Sequence, residues 1–257
     1  MFFCAKYSAS GNDFVITHTF RRGDPQRRGE LASQICNRFS GIGADGFIIL
    51  LPSPGEGIDF QWEFYNSDGS VAEMCGNGSR AVAHYAHRLG LAGREMKFLT
   101  LAGPIWAKVE EGDWVETQLT PHRLLKGKFQ ELGREWWLWD TGVPHLVTLG
   151  EKVEEFDKEI ARQMRWKYNA NVNFGEVTPG GKLRVRTFER GVEDETLACG
   201  TGMCATFLTA RELGLVGENV EVYPKSGEKL KISLVNNRLH FAGKVTPIFE
   251  TQWQETL

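Results

Sequence analysis

No uninterrupted apolar stretch in these 257 residues is long enough to cross a bilayer, so no membrane partner is expected. Basic runs are missing as well. Beyond Arg21-Arg22 and Arg27-Arg28, the 30 lysines and arginines are scattered among 33 acidic residues, leaving a formal charge of −3. That balance argues against a nucleic-acid partner, and the two arginine pairs around Gly23-Asp24-Pro25 read as a solvated loop. No Cys-x-x-Cys occurs, and the histidines do not bracket cysteines at zinc-site spacing. A structural metal and a thiol–disulfide exchanger therefore both lack support. The 5 cysteines are an odd count without small-scaffold spacing, which suits a reducing, cytoplasmic setting with free thiols. The first residues, Met1 to Lys6, run at once into polar Ser8–Asp13 without the apolar core or cleavage site of a secretory leader. Signs of disorder are lacking too: 41% hydrophobic content is ample for a packed core.

What the chain does contain is an internal repeat. Cys75-Gly76-Asn77-Gly78 and Cys199-Gly200-Thr201-Gly202 lie 124 positions apart, and each opens a run with helical spacing. The flanks match: Ala81 with Ala205, Ala86 with Ala210, and Leu89-Gly90-Leu91 with Leu213-Gly214-Leu215. Upstream, Phe64 corresponds to Phe188, which sets Asn66 where Arg190 stands. The repeat predicts two pseudo-symmetric halves, residues 1–118 carrying Cys75 and 119–257 carrying Cys199. The last strand could return to the first half.

In the first half, strands are predicted over Phe2–Tyr7, Phe14–Thr17, Phe47–Leu51, Gln61–Tyr65, Lys97–Leu101 and Ile105–Glu110, with helices over Glu30–Phe39 and Cys75–Leu91. The second half repeats this grammar, with strands at Trp136–Trp139, Leu183–Phe188, Val220–Tyr223, Lys229–Leu234 and Arg238–Phe241. Its helices are predicted near Glu151–Met164 and over Gly202–Leu213. Many short strands and few helices imply an α+β fold, each half a curled mixed or antiparallel sheet wrapped on a central helix. A doubly wound parallel sheet would need more crossover helices. The active site is expected in a cleft between the halves.

Each repeated cysteine precedes a helix, where unpaired amides and the helix dipole place positive potential. A thiol there is expected to have a lowered pKa, and the bare amides can bind a carboxylate. One thiol per half suits a reaction that needs a base on one face of a carbon and an acid on the other. Taken singly, a Cys-Gly-x-Gly is more often a buried cysteine beside a turn. Two copies with matched flanks reverse those odds. Cys4, Cys36 and Cys204 lack this setting and read as packing residues.

Several longer motifs then carry a family resemblance. Gly11-Asn12-Asp13-Phe14, Gly41-Ile42-Gly43-Ala44-Asp45-Gly46, Asn66-Ser67-Asp68-Gly69-Ser70 and Glu73-Met74-Cys75-Gly76-Asn77-Gly78 resemble signatures of the diaminopimelate epimerases. So do Asn169-Ala170-Asn171, Glu189-Arg190-Gly191 and Thr196–Gly202, in family order along most of the chain.

The resemblance implies that Cys75 and Cys199 are the two acid/base groups, one thiolate and one thiol. It implies that His145 and Glu189 tune them. It further implies that Asn12, Asn66, Asn171, Glu189 and Arg190, with Gly76-Asn77 and Gly200-Thr201, hold the two amino-acid ends of a small-molecule substrate. No cofactor is implied, pyridoxal phosphate included, and a homodimer is. Without the resemblance His145 would read as an ordinary turn or core histidine, Glu189 as a surface ion pair and the asparagines as turn formers. Two departures stand out. Val143 replaces the asparagine often found before Pro-His in the family, and Gly191–Thr196 is one residue longer than in some relatives. The readings left open are a related two-cysteine racemase with another amino-acid substrate, and an inactive binding or scaffold protein.

Overall fold

In the computed structural model the described residues are 1–21, 23–119, 121–150 and 152–254. Arg22 of the arginine pair, Thr120 of the boundary segment and Glu151 of the predicted helix start lie outside them. The chain divides into two compact units, Met1–Thr117 with Gly243–Leu257, and Gln118–Ala242.

The first unit contains β1 (Phe2–Ala9), β2 (Asn12–His18), α1 (Pro25–Ile35), β3 (Gly46–Pro52), β4 (Phe60–Asn66), α2 (Gly76–Arg88), β5 (Glu95–Thr100), β6 (Gly103–Val109) and β7 (Trp114–Gln118). The pairings run β1 antiparallel to β2, β2 parallel to β3, β3 antiparallel to β4, β4 parallel to β5 and β5 antiparallel to β6. The second unit contains β8 (Arg123–Glu131), β9 (Arg134–Asp140), β10 (Pro144–Gly150), α3 (Lys158–Tyr168), β11 (Asn171–Val177), β12 (Leu183–Glu189), β13 (Asp194–Thr196), α4 (Gly200–Glu212), β14 (Asn219–Pro224), β15 (Leu230–Val235) and the start of β16 (Arg238–Trp253). From β9 to β15, with the short β13 set aside, the alternation of antiparallel and parallel pairs is the same as from β1 to β6. The fold is thus α+β, built from two pseudo-symmetric halves. The far part of β16 belongs to the first unit, where Val245–Trp253 pairs antiparallel with β1.

In β3, alternate residues serve two cores, as a strand covered on both faces requires. Ile48 and Leu50 pack with Val82 and Tyr85 of α2, whereas Phe47, Ile49 and Leu51 pack with Leu31 and Ile35 of α1. In the second unit Met203, Phe207 and Leu208 of α4 form one core, and Ala161 and Met164 of α3 another. Both central helices are buried on every side along their middle turns, Gly78–Ala86 and Gly202–Ala210. Each ends on a glycine with positive φ, Gly90 at 68° and Gly214 at 69°. The amides of Leu91 and Leu215 then reach back to Ala86 and Ala210 at 2.9 Å, closing the helix ends.

Three predicted helix starts move. Helix α1 begins at Pro25, with Asp24 as its N-cap accepting from the Gln26 amide, so Arg27 and Arg28 lie on a helix rather than in a loop, whereas Arg21 is exposed ahead of it. Arg28 lies on α1, is 2% exposed and donates to Glu63 at 2.7 Å. Helix α3 begins at Lys158, because Asp157 caps the amides of Glu159 and Ile160. Helix α4 begins at Gly200, directly after Cys199.

Candidate active site

In the first unit, β4 leads to Cys75, which is the N-cap of α2 with extended backbone angles. Its half-buried Sγ accepts the Gly78 amide at 3.4 Å. Gly76 and Asn77 form the first helical positions. Asn77 Nδ2 donates to Asn12 Oδ1 at 2.7 Å, and Asn12 Nδ2 donates to Asp45 at 3.0 Å. Arg38 bridges Asp13 and Asp45, and Lys6 donates to Asp13 and to the Gly43 carbonyl. Burial alone would raise the Asp13 pKa, but the hydrogen bonds from Arg38 and Lys6 win and hold it at about 2. Arg80, fully buried, donates to Ser10 Oγ at 2.6 Å and to Asn77 Oδ1 at 2.8 Å. Asn66 bonds elsewhere. It is exposed at the end of β4 and donates to Ser70 Oγ at 3.0 Å.

In the second unit, Cys199 is the N-cap of α4 and is 9% exposed. Thr201, on the first turn, brings its hydroxyl within 3.6 Å of Cys199 Sγ. His145, on β10, is fully buried, with Nε2 at 2.9 Å from Thr201 Oγ1. Asn171, its register partner on β11, accepts the Arg190 amide at 2.8 Å and sends Nδ2 toward Pro144 O at 3.3 Å. Arg190 follows the last residue of β12. One of its guanidinium nitrogens donates to Asn169 O at 2.9 Å. Glu189 ends β12 half-buried, and its charge acts on Cys199. Gly200 occupies the first helical position beside Phe241. Val143 is half-buried in the turn before β10, so residue 143 has no side-chain amide there.

The thiol acidities run against the sequence-based expectation. Burial pushes Cys199 up to about 12, the Glu189 charge adds to this, and the Thr201 hydroxyl with the Gly202 and Thr201 amides offsets only part. Cys75 is likewise raised by burial, against the Gly78 and Asn77 amides and Arg80. The helix-end potential is present in both halves. It is smaller than the cost of placing a sulfur anion away from water. His145 is held down at about 3 by burial and by the Arg190 charge, so it is neutral across the physiological range.

Some contributors were not singled out in the sequence. Thr141 Oγ1 donates to Thr201 O at 2.9 Å and so braces the first turn of α4. Asn173 Nδ2 lies 3.1 Å from His145 Nδ1. One signal was available, since Asn171 and Asn173 are two apart on a strand and therefore share a face. The remaining cysteines, Cys4, Cys36 and Cys204, are all buried in apolar cores and form no disulfide.

Each half thus offers a cysteine at the mouth of a buried helix, ringed by amides and side chains that recognise polar groups. The class defined by fold and site is an α+β protein of two like halves with one N-cap cysteine apiece. A solved structure of a putative phenazine biosynthesis PhzC/PhzF protein from Clostridium difficile has this fold, with a TM-score of 0.76 at 11% identity, covering 99% of this chain and 100% of that one. The family model for diaminopimelate epimerase matches residues 4–125 and 138–246. A diaminopimelate epimerase of Nitratiruptor sp. is 59% identical over 246 residues, covering 96% of each chain. One from Campylobacter jejuni is 52% identical over 248 residues, covering 96% of this chain and 97% of the relative. The chain belongs to the diaminopimelate epimerase family.

Proposed function

We propose that this protein interconverts LL- and meso-2,6-diaminopimelate by a two-base mechanism without pyridoxal phosphate. The observation that carries the reading is the 59% identity to a protein named diaminopimelate epimerase, joined to two cysteines in matched N-cap positions. One sulfur, as thiolate, takes the α-proton and the electron pair stays on the α-carbon. The other sulfur, as thiol, delivers a proton to the opposite face and is left as thiolate. The substrate inverts, no redox change occurs, and the two thiols exchange protonation states.

Raised thiol pKa values are consistent with this chemistry. An α-proton beside an ammonium and a carboxylate is very weakly acidic, and a buried thiolate, though less populated, is a stronger base. The developing charge at the carboxylate needs fixed donors in a dry site. In this reading the first-turn amides at Gly76-Asn77 and Gly200-Thr201 supply them. Arg190 offers planar recognition of a second carboxylate, while Asn12, Asn66, Asn171 and Glu189 offer partners for ammonium or carboxylate groups. In this reading His145 and Glu189 tune Cys199. The protein would act in the cytoplasm as a homodimer, in lysine and peptidoglycan-precursor synthesis.

The test is a proton-exchange screen of the reduced protein against LL-diaminopimelate, proline, hydroxyproline, histidine and lysine. Exchange confined to diaminopimelate is expected. Exchange with another amino acid and none with diaminopimelate would move the protein to a different racemase specificity.

A further inference from the structure

Asn173 is fully buried on β11 and has every polar atom engaged. Its Nδ2 lies 2.8 Å from the Leu146 carbonyl, which can only accept, so that atom must be the amide nitrogen. Its Oδ1 accepts the Thr187 hydroxyl at 2.9 Å. With the amide orientation fixed, the same Nδ2 faces His145 Nδ1 at 3.1 Å and donates to it. A nitrogen that accepts carries no proton. Neutral His145 therefore carries its single proton on Nε2. That proton has an acceptor in Thr201 Oγ1 at 2.9 Å. Asn171 Nδ2, itself a donor because its Oδ1 accepts the Arg190 amide, lies farther from Nε2, at 3.4 Å, and donates to the Pro144 carbonyl.

The consequence reaches Cys199. A Thr201 oxygen that accepts from His145 keeps its own hydrogen free, and the sulfur 3.6 Å away is in position to receive it. With the opposite tautomer the bare Nε2 would draw the Thr201 hydrogen to itself, and the sulfur would face a lone pair. We propose that Asn173 is a positioning residue: it pins His145 as the Nε2–H tautomer and thereby makes Thr201 a hydrogen-bond donor to Cys199. Its bearing on catalysis rests on Cys199 acting as proposed above. The hydrogen-bond assignment stands independently of that.

The experiment is nitrogen NMR of protein labelled with 15N-histidine, with the His145 signals assigned from a His145→Gln variant. The wild type is expected to show one tautomer, protonated at Nε2 and bare at Nδ1. In Asn173→Leu the signals should move to a mixture of tautomers. Cys199 in that variant should react with a small thiosulfonate reagent about tenfold more slowly, read peptide by peptide by mass spectrometry, with Cys75 unchanged. A wild-type His145 protonated at Nδ1, or a single Nε2–H tautomer persisting in Asn173→Leu, would overturn the inference. The wild-type spectrum decides even if the variant does not fold. A wild-type protein that fails to epimerise any amino acid would remove the catalytic role alone, since the tautomer is read without substrate.

Discussion

Asn173 Oδ1 occupies the space in which a side chain on Gly202 would begin: a Cβ there would meet it at 2.2 Å, with Thr187 Oγ1 at 3.1 Å. Asn173 cannot swing aside without giving up its bonds to Leu146, Thr187 and His145. At the matching position of the other half, a Cβ on Gly78 would meet Ile48 Cδ1, the end of an apolar side chain, at 3.2 Å. Gly202→Ala should therefore cost about 2 kcal/mol or more, and Gly78→Ala about 1 kcal/mol or less, in chemical denaturation. Equal costs would mean that the buried polar layer under α4 is looser than it stands here.

Thiol reactivity should follow burial. With Cys199 held near 12, its alkylation in the ligand-free protein should climb about tenfold per pH unit from neutrality to about pH 10, and Cys75, also raised by burial, should likewise react faster as pH rises. A plateau below pH 9 at Cys199 would show that the helix end outweighs burial after all. The same shift links to stability. A thiol pKa raised on folding stabilises the native state below the unfolded value of about 8.5, and this stabilisation is lost as pH rises toward the folded value.

His145 should leave the opposite signature. Its folded pKa, about 3, lies below the unfolded one, so stability is full above about pH 6.5 and falls as acid protonates the unfolded chain. Between about pH 6.5 and about pH 4 the loss from this group should be about 3 kcal/mol. Subtracting the denaturation profile of His145→Gln from that of the wild type isolates it. A flat difference would contradict a buried neutral imidazole.

The pair Arg28–Glu63 ties α1 to β4, with Arg28 2% exposed and a second guanidinium nitrogen on Arg21 O at 2.9 Å. Glu63→Ala should cost about 3 kcal/mol, because it strands a buried charge. Arg28→Met should cost about 1 kcal/mol or less, since it removes that charge and keeps the volume. The two variants, compared by urea denaturation, separate a charge requirement from a packing one.

Much of this molecule is legible in the residue pattern. The Cys-Gly-x-Gly repeat marks both helix starts, and Gly90 and Gly214 mark their ends through the backbone freedom a C-terminal cap requires. The α+β class follows from many short strands with few helices. Strands with weak alternation escape notice: β8 is exposed along most of its length, and β11 mixes Asn171 and Asn173 with apolar neighbours. Their identity comes from tertiary partners. Helix α1 begins earlier than the pattern predicts because Asp24-Pro25 serves equally well as a turn signal and as a helix start. The sign of the thiol shifts was also hidden, since a helix N-terminus is visible in sequence and depth of burial is not.

The most direct test of the two-thiol mechanism is isotopic. Reduced wild-type protein incubated with LL-diaminopimelate in heavy water, without added pyridoxal phosphate, should give meso product carrying solvent deuterium at the inverted α-carbon. Cys75→Ala and Cys199→Ala should each stay folded and lose inversion. Wild-type protein that neither inverts nor exchanges, or either variant inverting at the wild-type rate, would contradict it.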